Sequence, residues 1–177
     1  MRGAARVIDG YRLAIGDRLA VSFQRYPEAI LRERTELPRS YGVAPVELWL
    51  ATNAVLPVRE GEGIWLGLSP QTSMTLTTQV AWLGAGKTDH LPLPWSKIVS
   101  KLEALHGLNK PNGVFCPFIR FPQDPDFIPC LGVVISIENR ESIQVRFASV
   151  AEYEAKSGKQ APRPISPDDC YGGWPLP

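Results

Sequence analysis

Histidine and cysteine are scarce in this sequence, whose 177 residues contain two histidines and three cysteines. Cys116, Cys130 and Cys170 are an odd number and form no CxxC pair, which argues against a disulfide framework and a zinc knuckle. No G-x-S-x-G motif gives a serine nucleophile a recognisable setting. We therefore predict no metal site, no cofactor and a reducing, cytoplasmic environment.

Long hydrophobic runs are also missing. The longest apolar stretch lies near Ile128–Ile137 and has about half the length that a membrane span needs. No apolar run of signal-peptide length follows the N-terminal Met-Arg-Gly-Ala-Ala-Arg. We therefore expect a protein that makes no membrane contact.

The net charge is only +1, so the chain has no overall field that would attract nucleic acid. The arginines are nevertheless concentrated, because residues 1–40 hold eight arginines and no lysine, against five acids. The favoured interpretation is a solvated face whose arginines pair with neighbouring acids. In the alternative, Arg32 and Arg34 bind phosphate or carboxylate groups, which suit guanidinium forks, and the arginine-rich N-terminal third of the chain binds nucleic acid.

Prolines and glycines number 17 and 15 and divide the chain into short segments that favour strands and turns. Alternating apolar residues predict two hairpins, Tyr11–Ile15 with Arg18–Phe23 and Leu131–Ile137 with Ser142–Phe147. Further strands are predicted at Val46–Leu50, Ala54–Val58, Ile64–Leu68 and Ser73–Leu83. The predicted fold class is α+β, mainly antiparallel β in a sandwich or partly open barrel, with two or three short helices.

Three segments carry helix signals. Pro27 suits the first turn of a helix over Pro27–Glu36. The segment Trp95–His106 places apolar residues on one stripe, and a glycine follows it. Ser149-Val150-Ala151-Glu152 matches a capping box, and Gly158 stands where the helix would end.

The composition changes near Ser157, where the sequence becomes rich in proline and polar residues, as linkers are. We predict one β-rich domain over residues 1–156 and a C-terminal tail over residues 157–177. The tail contains Tyr171 and Trp174, and exposed aromatic side chains indicate a partner surface. The tail packs either on its own domain or on another chain, and we favour its own domain.

The glycine-rich turn Gly84-Ala85-Gly86-Lys87-Thr88 has part of the pattern of a phosphate-binding loop. Ala81 stands where that loop needs its first glycine, and prolines follow where its helix should begin. We therefore interpret the turn as structural and assign no catalytic residue. The alternative function is a hydrolase or nucleotide-dependent enzyme that uses the Gly84–His90 turn, with Lys87, Asp89 and His90 as its catalytic candidates.

Three segments, Gly10–Asp17, Leu56–Leu66 and Gln79–Lys87, correspond to a hairpin start, a strand and a V-G-V-G-K-type turn. With them the chain resembles an uncharacterised family of small bacterial proteins, although it lacks the family's Y-P-L-P-P-G-L-G segment. The family has no assigned activity. The resemblance therefore implies a bacterial origin, transfers no catalytic residue and favours a structural role for the glycine-lysine turn.

The absence of a recognisable nucleophile or acid–base set leads to the main functional prediction. It is a small, non-enzymatic binding or accessory module that acts through protein or small-ligand contacts. Antiparallel sheets leave open edges, so we expect a protein partner or self-association, such as a homodimer. The candidate contact residues are Trp95, Tyr171, Trp174, Arg32 and Arg34.

Overall fold

Strands dominate the computed structural model, which describes residues 5–31, 36–82 and 93–170. Over these residues the chain forms thirteen strands, one α-helix and two single-turn 3₁₀ helices. The strands are β1 (Arg6–Ile8), β2 (Arg12–Ile15), β3 (Leu19–Pro27), β4 (Glu47–Leu50), β5 (Asn53–Val58), β6 (Glu62–Pro70), β7 (Met74–Trp82), β8 (Leu93–Val99), β9 (Glu103–Leu105), β10 (Gly107–Asn109), β11 (Phe115–Ile119), β12 (Cys130–Ile137) and β13 (Glu141–Ser149). The helix is α1 (Val150–Ser157), and the 3₁₀ turns are Glu28–Ile30 and Pro167–Asp169.

The strands of the described ranges belong to two sheets. The first has the order β1-β2-β3-β6-β11-β10, with β9 also paired to β6, and the second has the order β4-β5-β13-β12-β7-β8. Strands β5 and β13 run parallel, and the other described pairs are antiparallel. Neither sheet closes into a barrel within these ranges. The prediction of a β-rich, mainly antiparallel protein with few helices is confirmed.

Buried side chains from both sheets form one hydrophobic cluster. Val21 and Phe23 of β3 and Val145 and Phe147 of β13 are at most 1% exposed. Since successive side chains of a strand point to opposite faces, the polar residues between them lie on the outer faces. The two predicted hairpins are confirmed as the pairs β2–β3 and β12–β13.

Local signals set the turn of the second hairpin and both ends of α1. Glu138 and Asn139 have φ angles of 49° and 55°, the left-handed conformation that a tight hairpin turn requires. The Ser149 hydroxyl accepts a hydrogen bond from the backbone N–H of Glu152 at 3.2 Å, and Gly158 ends the helix with a φ of 68°. The helix predicted at this position is confirmed.

The helix predicted over Trp95–His106 is wrong, because strands β8 and β9 occupy most of this segment. Seven residue pairs join β8 to β7, among them Trp95 with Thr78. Val99 is buried while its neighbour Ile98 is 68% exposed, which is the alternation of a strand. Pairing with β7 satisfies the backbone of this segment and overrides the helical spacing of its apolar residues.

The helix predicted over Pro27–Glu36 is also not formed in the part that the structure describes, where only Glu28–Ile30 makes one 3₁₀ turn. Strand β3 continues through Pro27, which pairs with Glu62. The Glu28 carboxylate accepts hydrogen bonds from the backbone N–H groups of Gln123 and Asp124, at 2.7 and 2.9 Å. These tertiary hydrogen bonds, and not the hydrogen bonds of a helix, fix the position of the segment. Residues 32–35 lie outside the described residues.

Candidate functional site

Of the site residues predicted from the sequence, Trp95 lies in the described part of the chain. Its side chain is half-buried and packs against the hydrophobic core from edge strand β8. The other predicted residues lie outside the described residues: Arg32, Arg34, Lys87, Asp89, His90, Tyr171 and Trp174. Their roles stay predictions.

Several N-terminal arginines form ion pairs with acids. Arg6 pairs with Asp17 and Arg12 with Asp9, each at 2.9 Å. Arg18 makes two hydrogen bonds to the Glu138 carboxylate across the two sheets, at 3.0 and 2.9 Å. These contacts support the interpretation of a face whose arginines are neutralised by neighbouring acids.

A fourth N-terminal arginine, Arg25, forms a buried ion pair with Glu62. The two side chains are 7% and 6% exposed, and three hydrogen bonds of 2.9–3.2 Å join them. Arg25 also donates to the carbonyl of Arg163 at 2.9 Å, and the Glu62 carboxylate accepts from the backbone N–H of Ile165. The hydrogen bonds of the pair therefore join β3 and β6 to each other and to the backbone of residues 163–165.

The backbone that contacts this pair is part of residues 159–165, called here the C-terminal segment. Arg59 donates to the carbonyl of Pro162 at 2.7 Å, and the backbone N–H of Ala161 donates to Glu154 at 2.9 Å. Lys159 pairs with Glu47 of β4. The segment thus lies against the domain, whereas residues 171–177 are outside the described residues.

A recess of about 200 Å³ opens where the β12–β13 hairpin meets the end of the first sheet. Its polar lining comes from Arg120, Gln144 and Arg146, and its apolar lining includes Leu131 and Val134. Arg120 directly follows β11 of the first sheet, whereas Gln144 and Arg146 stand on β13 of the second. The packing of the two sheets therefore assembles the site.

Gly132 lines the recess and adds no side chain to it. It pairs directly with Arg146, so no side chain stands opposite the arginine. Its φ is 157°, and a Cβ at this position would collide with the carbonyl oxygen of Val145. The register with β7 also shifts between Cys130 and Gly132, which marks a bulge. The backbone thus requires glycine here, and the glycine leaves the recess open.

Arg146 is held by an acid from α1. Its Nη2 atom lies 2.9 Å from Oε1 of Glu152, and Nζ of Lys156 lies 3.5 Å from the same oxygen. The Lys156 ammonium also stands 4.0 Å from the centroid of the Trp49 ring. Glu152 therefore has two cationic partners, and one of them, Arg146, lines the recess.

Arg120 has different surroundings. Its guanidinium is half-buried and stacks 4.6 Å from the centroid of the Phe121 ring. Burial and the like charge of Arg146 lower the pKa of Arg120 below its ordinary value, and the negative charge of Glu152 partly offsets this lowering. The guanidinium stays charged at physiological pH. Among the residues that the structure describes, no carboxylate lies within ion-pair distance of Arg120. Its polar N–H groups are thus available to a bound anion.

Cys130 and Asp124 make contacts that fit a structural role. Burial raises the pKa of the Cys130 thiol above its ordinary value, and its Sγ donates to the carbonyl of Gly132 at 3.7 Å. Asp124 accepts from the backbone N–H of Asp126 at 2.9 Å and closes its own turn. Within the described residues no group of three or more His, Cys, Asp or Glu side chains could hold a metal ion.

Comparison with family models, with curated proteins and with solved structures found no match to this chain. The described part contains no helix long and apolar enough to cross a membrane. Sequence reasoning missed Arg120 and Arg146 as partners in a site. The one signal was the position of Arg146 between the apolar residues of β13, which placed it on the outer face without showing its neighbours.

Proposed function

We propose that the protein is a small, non-enzymatic binding module that takes an anionic ligand into the recess between Arg120 and Arg146. The two sheets would act as a β-sandwich that holds the two arginines in fixed positions. One observation carries the proposal: Arg120 is half-buried beside another arginine and has no carboxylate partner in the described part of the chain. An anion supplied from solution would provide that partner.

The two arginines place like charges side by side in the recess. Two guanidinium groups that line one recess repel each other, and partial burial strengthens this repulsion because the local dielectric constant is lower than that of water. An anion between them replaces repulsion with attraction. Guanidinium forks also donate bidentate hydrogen bonds to carboxylate and phosphate oxygens. The Gln144 amide and the apolar side chains of Leu131 and Val134 offer further contacts to the body of a ligand.

The other functions predicted from the sequence depend mainly on residues outside the described ranges. The enzyme alternative depends on Lys87, Asp89 and His90, and the nucleic-acid alternative depends on Arg32 and Arg34. The predicted protein partner or homodimer involves Trp95, Tyr171, Trp174 and the sheet edges, of which Trp95 and the edge strands are described. No observation on the described residues favours these alternatives over the recess.

The test is a calorimetric titration of phenyl phosphate into the wild type and the Arg120→Ala variant. Loss of a charged hydrogen-bond donor is expected to weaken binding about tenfold or more. Arg140→Ala is the matched control, because Arg140 is an exposed arginine in the turn of the same hairpin. Equal affinities for the wild type and Arg120→Ala would contradict the proposal, and so would an equal loss in Arg140→Ala.

A further inference from the structure

We infer that Glu152 is an internal competitor for the recess, and that the ligand therefore carries a phosphate-type dianion rather than a single carboxylate. The inference rests on the proposed function and names the ligand class of the same site. Its basis is the occupancy of Arg146, one of the two arginines, by the Glu152 carboxylate at 2.9 Å.

The competition follows from the chemistry of the exchange. A ligand that is to bind both arginines must take the place of the Glu152 carboxylate on Arg146. Binding of a monocarboxylate would only replace the Glu152 carboxylate on Arg146 by the carboxylate of the ligand. The ligand would also lose its freedom of motion on binding. A phosphate monoester carries up to two negative charges and three acceptor oxygens, so it can contact Arg120 and Arg146 at once. The site therefore favours the dianion.

Glu152 can leave Arg146 without becoming an isolated charge. Its Oε1 atom already lies 3.5 Å from Nζ of Lys156, one helical turn along α1. Glu152 also stands in the first turn of α1, where the helix dipole stabilises a negative charge. These two interactions persist after the exchange, so the cost of displacing Glu152 is that of one partly exposed ion pair.

The charges around the recess agree with this ligand. Arg120, Arg146 and Lys156 contribute three positive charges, and Glu152 contributes one negative charge. A dianion would bring this cluster to neutrality, whereas a monoanion would leave it positive. The described lining itself contains no carboxylate, and Glu152 reaches the recess only through its contact with Arg146.

The experiment compares phenyl phosphate with benzoate, which share a ring and differ in the anionic group. Titrations are made at mildly alkaline pH, above the second pKa of a phosphate monoester, which is about 6. The wild type is expected to bind phenyl phosphate at least tenfold more tightly than benzoate. Glu152→Gln is expected to raise both affinities by the same factor, about two- to fivefold, because it frees Arg146 from a partly exposed ion pair.

Glu154→Gln is the matched control. It makes the same change of charge on the same helix, but Glu154 accepts from the backbone of Ala161 and does not contact Arg146. Equal effects of the two substitutions would overturn the inference, because the effect would then be one of general charge. Stronger binding of benzoate than of phenyl phosphate would overturn it as well.

Failure of the inference and failure of the proposed function give different results. If phenyl phosphate binds and Arg120→Ala abolishes binding, but Glu152→Gln changes nothing, the inference is wrong and the proposed function stands. The proposed function is wrong too if neither anion binds the wild type or Glu152→Gln. It is also wrong if an anion binds but the Arg120→Ala substitution does not weaken that binding.

Discussion

The Arg25–Glu62 pair and the Arg120–Arg146 recess show two uses of arginine in one molecule. Arg25 is buried, and its donors are shared between Glu62 and the C-terminal segment. Arg120 is half-buried, feels the like charge of Arg146 and forms no ion pair with an acid in the described part of the chain. The first arrangement is closed and structural, whereas the second leaves donors for a ligand. The difference lies in the surroundings and not in the residue type.

The largest expected effect concerns the closed pair. Arg25→Met leaves the Glu62 carboxylate buried without its partner, which should lower the free energy of unfolding by about 3–5 kcal/mol. Urea unfolding measures the change. The double variant Arg25→Met/Glu62→Leu removes both charges and should recover most of the lost stability. If Arg25→Met lowers the free energy of unfolding by less than about 1 kcal/mol, the pair does not contribute strongly to the stability of the fold.

The next effect concerns the glycine that opens the recess. Gly132→Ala should cost about 1–3 kcal/mol, because the new Cβ meets the Val145 carbonyl at an unfavourable φ, and it should also weaken phenyl phosphate binding. Gly113→Ala is the control, since Gly113 has a φ of 82° but open space around its Cβ position. Thermal unfolding measures the loss of stability, and calorimetry measures the affinity for phenyl phosphate. Equal costs for the two variants would contradict the tight contact at Gly132.

The smallest effect concerns the exposed Arg18–Glu138 pair. The hydrogen bond from Arg18 lowers the pKa of Glu138, so the folded state holds this carboxylate in its charged form more strongly than the unfolded chain does. The contribution to stability is therefore present above the ordinary carboxylate pKa and is lost as the pH falls through the lowered value. Glu138→Gln should be slightly less stable than the wild type at neutral pH. The difference should vanish in acid, as measured by unfolding across pH.

Much of the fold could be predicted because its signals are local. The β12–β13 hairpin follows from alternation and a four-residue turn sequence, and α1 follows from Ser149 and Gly158 at its two ends. The strand β8 could not be predicted in this way. Its apolar spacing also fits a helix, and only pairing with β7, a tertiary contact, decides between the two.

The recess could not be predicted from the sequence, because no local pattern links its parts. Arg120 follows a strand of one sheet and Arg146 lies on a strand of the other. They become neighbours only when the sheets pack together. The role of Gly132 depends on the register that places it opposite Arg146. By contrast, the concentration of arginine in residues 1–40 was visible at once, yet four of these residues are paired with acids: Arg6, Arg12, Arg18 and Arg25.

The most direct test of the central claim is a ¹H–¹⁵N NMR titration that follows the arginine Nε–H groups during addition of phenyl phosphate. The signals of Arg120 and Arg146 can be assigned by their loss in single substitutions. We predict that both signals move together and saturate, while the Nε–H signal of Arg25, already bonded to Glu62 at 3.2 Å, stays in place. Saturable binding that leaves the Arg120 and Arg146 signals unmoved would contradict the assignment of the recess as the binding site.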